Sequence, residues 1–171
     1  KPALTTTRRI TYLSALVAMS LILKMLGNIF TIGGFRVSFV YIPWIIGGVV
    51  LGPIGGCAVS LITDILGTFI NGQTPIPLMM LGNALYPLFP ALAFRLPGKY
   101  QYLKIVVGSC VSLLVCTLGF NTLSLAQFYG VPYLPYFVTR LTQIPVFVFN
   151  IFAIGLLMPV VRRYLLLPAA K

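Results

Sequence analysis

Asp64 is the only acidic residue in a chain of 171, against twelve Lys and Arg and no His. Three cations, Lys24, Arg36 and Arg140, lie within or beside long apolar runs, as do the amides Asn83, Asn121, Gln127, Gln143 and Asn150. The chemistry open to this set is narrow. Without His there is no imidazole metal ligand and no His base, and one carboxylate cannot form an acid–base pair with a second. No nucleophile–base pair is evident either. Binding is therefore expected rather than catalysis, with no metal and no cofactor. A lone carboxylate facing cations can form a structural ion pair, organise or touch a ligand, or carry a proton as in pumps. The last role lacks a second acid or a His to complete a relay.

The surroundings of these residues decide their solvent. The chain is 59% hydrophobic and only 8% charged, with a mean hydropathy of +1.03. Soluble domains carry roughly 25% charged residues, so this surface faces lipid. The net charge of +11 does not point to nucleic acid, because the cations cluster in short segments between apolar runs. Cys57, Cys110 and Cys116 all sit inside apolar runs and read as small core residues, without a CxxC or a disulfide framework.

The elements that must position the polar set are expected to be helices, since the apolar runs are continuous and do not alternate. Six can be drawn, over about residues 10–30, 38–51, 54–70, 76–94, 105–125 and 134–161. Spanning takes about 20 residues, so the second is short and is expected to be tilted or partly broken. The first follows a basic start, lacks a small-residue cleavage site and precedes further runs, so it is expected to be a transmembrane helix rather than a signal peptide. Lys1-Pro2 suggests a trimmed N-terminus.

With the N-terminus in the cytoplasm, Lys1, Arg8, Arg9, Arg95, Lys99, Lys104, Arg162, Arg163 and Lys171 fall inside and Arg36 outside; Lys24 and Arg140 lie within spans. That bias gives an all-α integral membrane protein of one domain, 1–171, with six transmembrane helices and both termini cytoplasmic. The outer connections are then "TIGGFR", "NGQTPIP" and "YGVPYLP". Their Gly, Pro and aromatic content suggests shaped loops over a site.

Depth follows from topology. Lys24, Asp64, Asn83, Asn121, Gln127, Arg140 and Gln143 all fall in the outer half, and Asn150 nearer the middle. Several helices contributing polar groups at one level is what an outward-facing cavity requires. No matching set marks the inner half. Lys24, Arg36 and Arg140 would meet anionic or acceptor groups, Asp64 would pair a cation or accept a ring N–H, and Asn83, Asn121 and Gln127 would bond polar edges. Tyr41, Trp44, Tyr86, Tyr129, Tyr133 and Tyr136 sit at or near the outer half, and of these Trp44, Tyr86 and Tyr129 are expected to stack on a flat ring. On the inner half of the first helix, Ser14, Ala15 and Ala18 form a small-residue face that either packs within the chain or admits a partner helix.

Two stretches resemble a known family. "FRVSFVYIPWIIGGVVLGPIGGCAVSLITDILG" (Phe35–Gly67) is similar to the substrate-binding S components of energy-coupling factor (ECF) vitamin transporters, with a basic residue, Ser-Phe, Pro, GxxxGPxxG and Asp-x-x-Gly. "FNTLSLAQFYGVPYLPYFVTRLTQIP" (Phe120–Pro145) resembles the folate-type members. The resemblance implies a six-helix protein of the cytoplasmic membrane with an outward-facing vitamin site under loops. It also implies partners: a transmembrane coupling protein, contacted through Ser14, Ala15 and Ala18, and two ATP-hydrolysing subunits. Substrate release would follow toppling of the S component in the membrane. Lys24 stands where folate-type members carry Arg, and "NGQTPIPL" replaces a Phe-Pro-Gly loop. Folate, cobalamin, queuosine, a pyridoxine or pyrimidine precursor and pantothenate all stay open as ligands. The rival readings are an ion-coupled carrier acting alone, a membrane enzyme and a structural scaffold.

Overall fold

Lipid offers the backbone no hydrogen-bond partner, so apolar runs of this length close their bonds internally as helices. The computed structural model describes residues 6–29, 31–32, 35–36, 38–97, 100–130, 132–141 and 143–161. Helix α1 (Thr6–Ile29) is followed by a short antiparallel ribbon, β1 (Thr31–Ile32) and β2 (Phe35–Arg36), in which Thr31 faces Arg36 and Ile32 faces Phe35. Then come α2 (Tyr41–Leu51), α3 (Pro53–Ile70), α4 (Pro77–Leu85) and α5 (Leu88–Arg95). A single rod follows, made of α6 (Gln101–Ser112), a π-helical segment (Leu113–Asn121) and α7 (Thr122–Tyr129). The described chain closes with α8 (Tyr133–Leu141) and α9 (Gln143–Val161).

Among the described residues, five helical stretches are long and apolar enough to cross a membrane: Thr6–Gly27, Pro53–Ile70, Pro77–Arg95, Gln101–Tyr129 and Gln143–Val161. The second expected span, α2, is the short one. Its eleven residues rise about 16 Å, half the roughly 30 Å of a hydrocarbon core. Every residue from Ile42 to Val49 is buried. A helix apolar on all sides belongs inside a bundle, and α2 packs among α1, α3, α5 and α9. The sixth expected span divides. Helix α9 alone, at nineteen residues, rises about 28 Å, so α8 is not needed for the crossing.

The centre is held by close backbone contact. Gly52 has φ 92° and ψ 174°, a region reserved for glycine, and Pro53 opens α3 with φ already set. "GPIGG" is therefore a tight inner turn. It is also a contact surface within the chain, because a β-carbon on Gly56 would lie 2.6 Å from the Gly48 Cα and 3.0 Å from the Pro87 Cβ. This contact lies eight residues below Asp64 on α3, about 12 Å deeper.

Pro87 breaks the rod formed by α4 and α5. It cannot donate to the Asn83 carbonyl, and the Tyr86 N–H does so instead at 3.3 Å. Carbonyls around the break take donors from other helices: Tyr86, whose fourth residue onward is the N–H-less Pro90, accepts from Ser112 Oγ at 2.7 Å, and Ala84 accepts from Ser60 Oγ at 3.2 Å. Serine hydroxyls commonly make proline breaks tolerable in membrane helices. The π segment is treated likewise, with Thr122 Oγ1 donating to the Thr117 carbonyl (3.0 Å) and the Tyr133 hydroxyl to that of Leu118 (2.7 Å). Cys116 is buried, Cys57 and Cys110 are partly buried, and all three are free thiols.

Candidate functional site

At the end of the bundle taken as outer from the charge bias, a cavity of about 440 Å³ opens between the helices. Its wall draws on α1, the approach to α2, α3, the loop after α3, α4, the end of the π segment, α7 and the start of α9. The volume lies within the roughly 300–1,000 Å³ usual for small-molecule pockets.

Asp64 is the hub of a polar chain on that wall. Its side chain is 9% exposed and Oδ1 accepts from Lys24 Nζ at 2.7 Å. Lys24 also donates to the Asp64 carbonyl at 3.3 Å. Asp64 Oδ2 accepts from Asn83 Nδ2 at 3.0 Å, and Asn83 Oδ1 accepts from Asn121 Nδ2 at 2.7 Å. The line Lys24–Asp64–Asn83–Asn121 thus crosses α1, α3, α4 and the π segment. Thr68, one turn above Asp64, donates to the Asp64 carbonyl at 2.7 Å and also lines the cavity. Both carboxylate oxygens are engaged, so the ion pair is real and is built into the wall.

The aromatic residues divide. Trp44 and Tyr41 line the cavity, their rings meeting edge to face at 5.6 Å. Tyr129 lines it beside Phe128, the rings 5.2 Å apart. Tyr86, expected at the ligand, is instead 1% exposed and stacks behind Tyr41 at 4.5 Å, where it supports the aromatic wall without belonging to it. Gln127 is also placed apart: it is exposed and absent from the lining. It is six residues from Asn121, and six helical steps turn about 240°, onto another face. Arg36 and Arg140 belong to β2 and α8, but their side chains lie outside the described residues.

Reasoning from depth and charge passed over several lining groups. Ser38, Thr68, Met79 and Met80 all contribute, while Gln73 and Thr74 come from the NGQTPIP loop expected over the site. Thr68 was findable as the residue one turn beyond Asp64 on the same face. Asn150 proves to be a brace: its Nδ2 donates to the Ser38 carbonyl at 2.9 Å and holds that edge of the cavity against α9. Ser14, Ala15 and Ala18 are all exposed on one stripe of α1, so they do not pack within the chain.

The close fit of α1 on α3 gives a test of the ion pair. A β-carbon on Gly67 would lie 2.5 Å from Lys24 Cδ and 2.8 Å from its Nζ. Gly67→Val must push the lysine off Asp64. Ligand affinity is expected to fall on the order of tenfold while the purified protein stays folded, as read by titration and thermal melting.

The family model described as ECF transporter, substrate-specific component, matches residues 8–163 of the chain. Comparison with curated proteins gave no match.

Proposed function

This chain belongs to the family of ECF transporter substrate-specific components, and we propose that it binds a vitamin or related micronutrient at its outer end for an ATP-driven importer. Family membership implies an ECF module as partner and a multi-pass membrane protein that is a transporter subunit. The finer reading adds a coupling protein and two ATP-hydrolysing subunits, with delivery by reorientation of the whole bundle in the membrane. The observation that carries it is the cavity with its four-helix polar chain at one level.

Folate and the smaller ring vitamins suit a cavity of about 440 Å³. The folate group is favoured by the pattern in Phe120–Pro145, and queuosine, pantothenate and the pyridoxine and pyrimidine precursors are alternatives. Cobalamin would need the outer loops to open widely. The ligand wall would comprise Lys24, Trp44, Asp64, Asn83, Asn121 and Tyr129, with Arg36 and Arg140 at the mouth. A proton-coupled carrier is the less favoured reading, because Asp64 already holds two donors.

Trp44 is the sole tryptophan and lines the cavity, so occupancy should change its fluorescence. Titration of the purified chain with the ligands named above should yield one saturable, sub-micromolar binder; none would overturn the reading. Ala15→Leu with Ala18→Leu should leave that binding intact and abolish co-purification with the ECF module. Retained co-purification would remove α1 from the partner surface.

A further inference from the structure

Inside the mouth, the described lining of the proposed site carries charges that cancel. Among the described residues lining the cavity, Lys24 and Asp64 are the charged ones, and they pair at 2.7 Å. Asp64 spends its second oxygen on Asn83. Lys24 spends two of its three protons on Asp64. The remainder of the described polar wall consists of amides, hydroxyls and an indole. Of the residues on that wall, Trp44 and Gln143 have a buried indole N–H and a buried Oε1 with no partner among the described residues, while the unpaired Oδ1 of Asn121 lies against Gly82. Trp44 and Asn121 are each 2% exposed.

Buried polar atoms are normally paired, and an unpaired one calls for a partner from water, ion or ligand. Here the unmet set is one donor, on Trp44, and one acceptor, on Gln143. A ring edge carrying N–H groups beside a carbonyl complements it. A carboxylate does not: it brings no donor, and it enters beside an aspartate whose countercharge is already taken. Moving such an anion out of water without a free cation is costly. The aromatic faces of Tyr41 and Trp44 suit the flat body of the same ring.

We infer that this cavity selects a neutral heterocycle with an amide-type edge, N–H beside C=O, over the carboxylated form of the same ring. The inference rests on the reading of the cavity as the ligand site and narrows it by charge. In it, Lys24 acts as the counter-ion of Asp64, not as an anion receptor.

The test uses the full chain in detergent and Trp44 fluorescence, with three matched pairs: pterin and pterin carboxylate, uracil and orotate, nicotinamide and nicotinate. In any pair that saturates, the neutral member should bind at least about tenfold tighter. Asp64→Asn frees the charge of Lys24 and should shrink or reverse that preference. Tighter binding of a carboxylated member to the parent chain overturns the inference. If Arg36→Ala or Arg140→Ala then removes that advantage, the arginines set the ligand charge instead. Saturation by a larger anionic vitamin, with no neutral ring bound, overturns the inference but leaves the site reading standing. Silence toward every compound, the vitamins included, overturns both.

Discussion

Asp64→Ala is expected to abolish ligand binding and to lower stability by about 3–5 kcal/mol, the usual result of stripping one partner from a buried ion pair. The variant leaves the Lys24 ammonium, 12% exposed, without its countercharge. It also leaves Asn83 Nδ2 without its acceptor, so the line to Asn121 loses its anchor. Stability and binding separate in a second variant. Lys24→Met with Asp64→Leu removes both charges and fills the space with apolar volume. Such replacements of buried pairs are often neutral or stabilising, so its melting temperature should return to that of the parent or exceed it. Its binding should not return. Thermal melting and Trp44 titration of both variants decide the matter. If the double variant binds normally, the pair is a structural device alone; if Asp64→Ala melts like the parent, the ion pair does not hold α1 to α3.

Gly56→Val should prevent recovery of folded protein. The added β-carbon meets the Gly48 Cα at 2.6 Å and the Gly48 N at 2.8 Å, both backbone atoms, before it meets Pro87. No rotamer change relieves a backbone clash. Helices α2 and α3 must part, and α2 is the buried centre of the bundle. The cost is at the upper end for overpacking, at least about 3 kcal/mol. Gly119→Ala is the control, since its β-carbon would find ordinary contact at 3.6 Å. Size-exclusion chromatography should show aggregate for the first and a single species for the second. A monodisperse Gly56→Val protein would mean that the helices tolerate a wider spacing than the contact suggests.

Much of this architecture is legible in the residues. Continuous apolar runs allow only helices in lipid, and the shortness of the Tyr41–Leu51 segment is visible as a run cut off by Gly52-Pro53. The meeting of Lys24, Asp64, Asn83 and Asn121 follows from placing each at one depth. Depth is only one coordinate, however. Gln127 falls in the same outer half as Asn121, about 9 Å further along the rod, but at another azimuth. The azimuth of the whole rod passes through the π segment, whose sequence, Leu113 to Asn121, has no proline to announce it. Its freed carbonyls are met by Thr122 and by Tyr133 from the next helix, a pairing local patterns do not encode. Tyr86 fails for a related reason. Its ring position is fixed by stacking on Tyr41, forty-five residues earlier, and by the break at Pro87.

Helices whose backbones touch, as at Gly48, Gly56 and Pro87, leave no gap between them for a file of water molecules. Among the described residues, that contact closes the space between α2, α3 and the Pro87 break about 12 Å below Asp64. A seal at that level is expected to let a membrane keep its voltage with the protein in place, and conductance of bilayers holding the purified chain would check it.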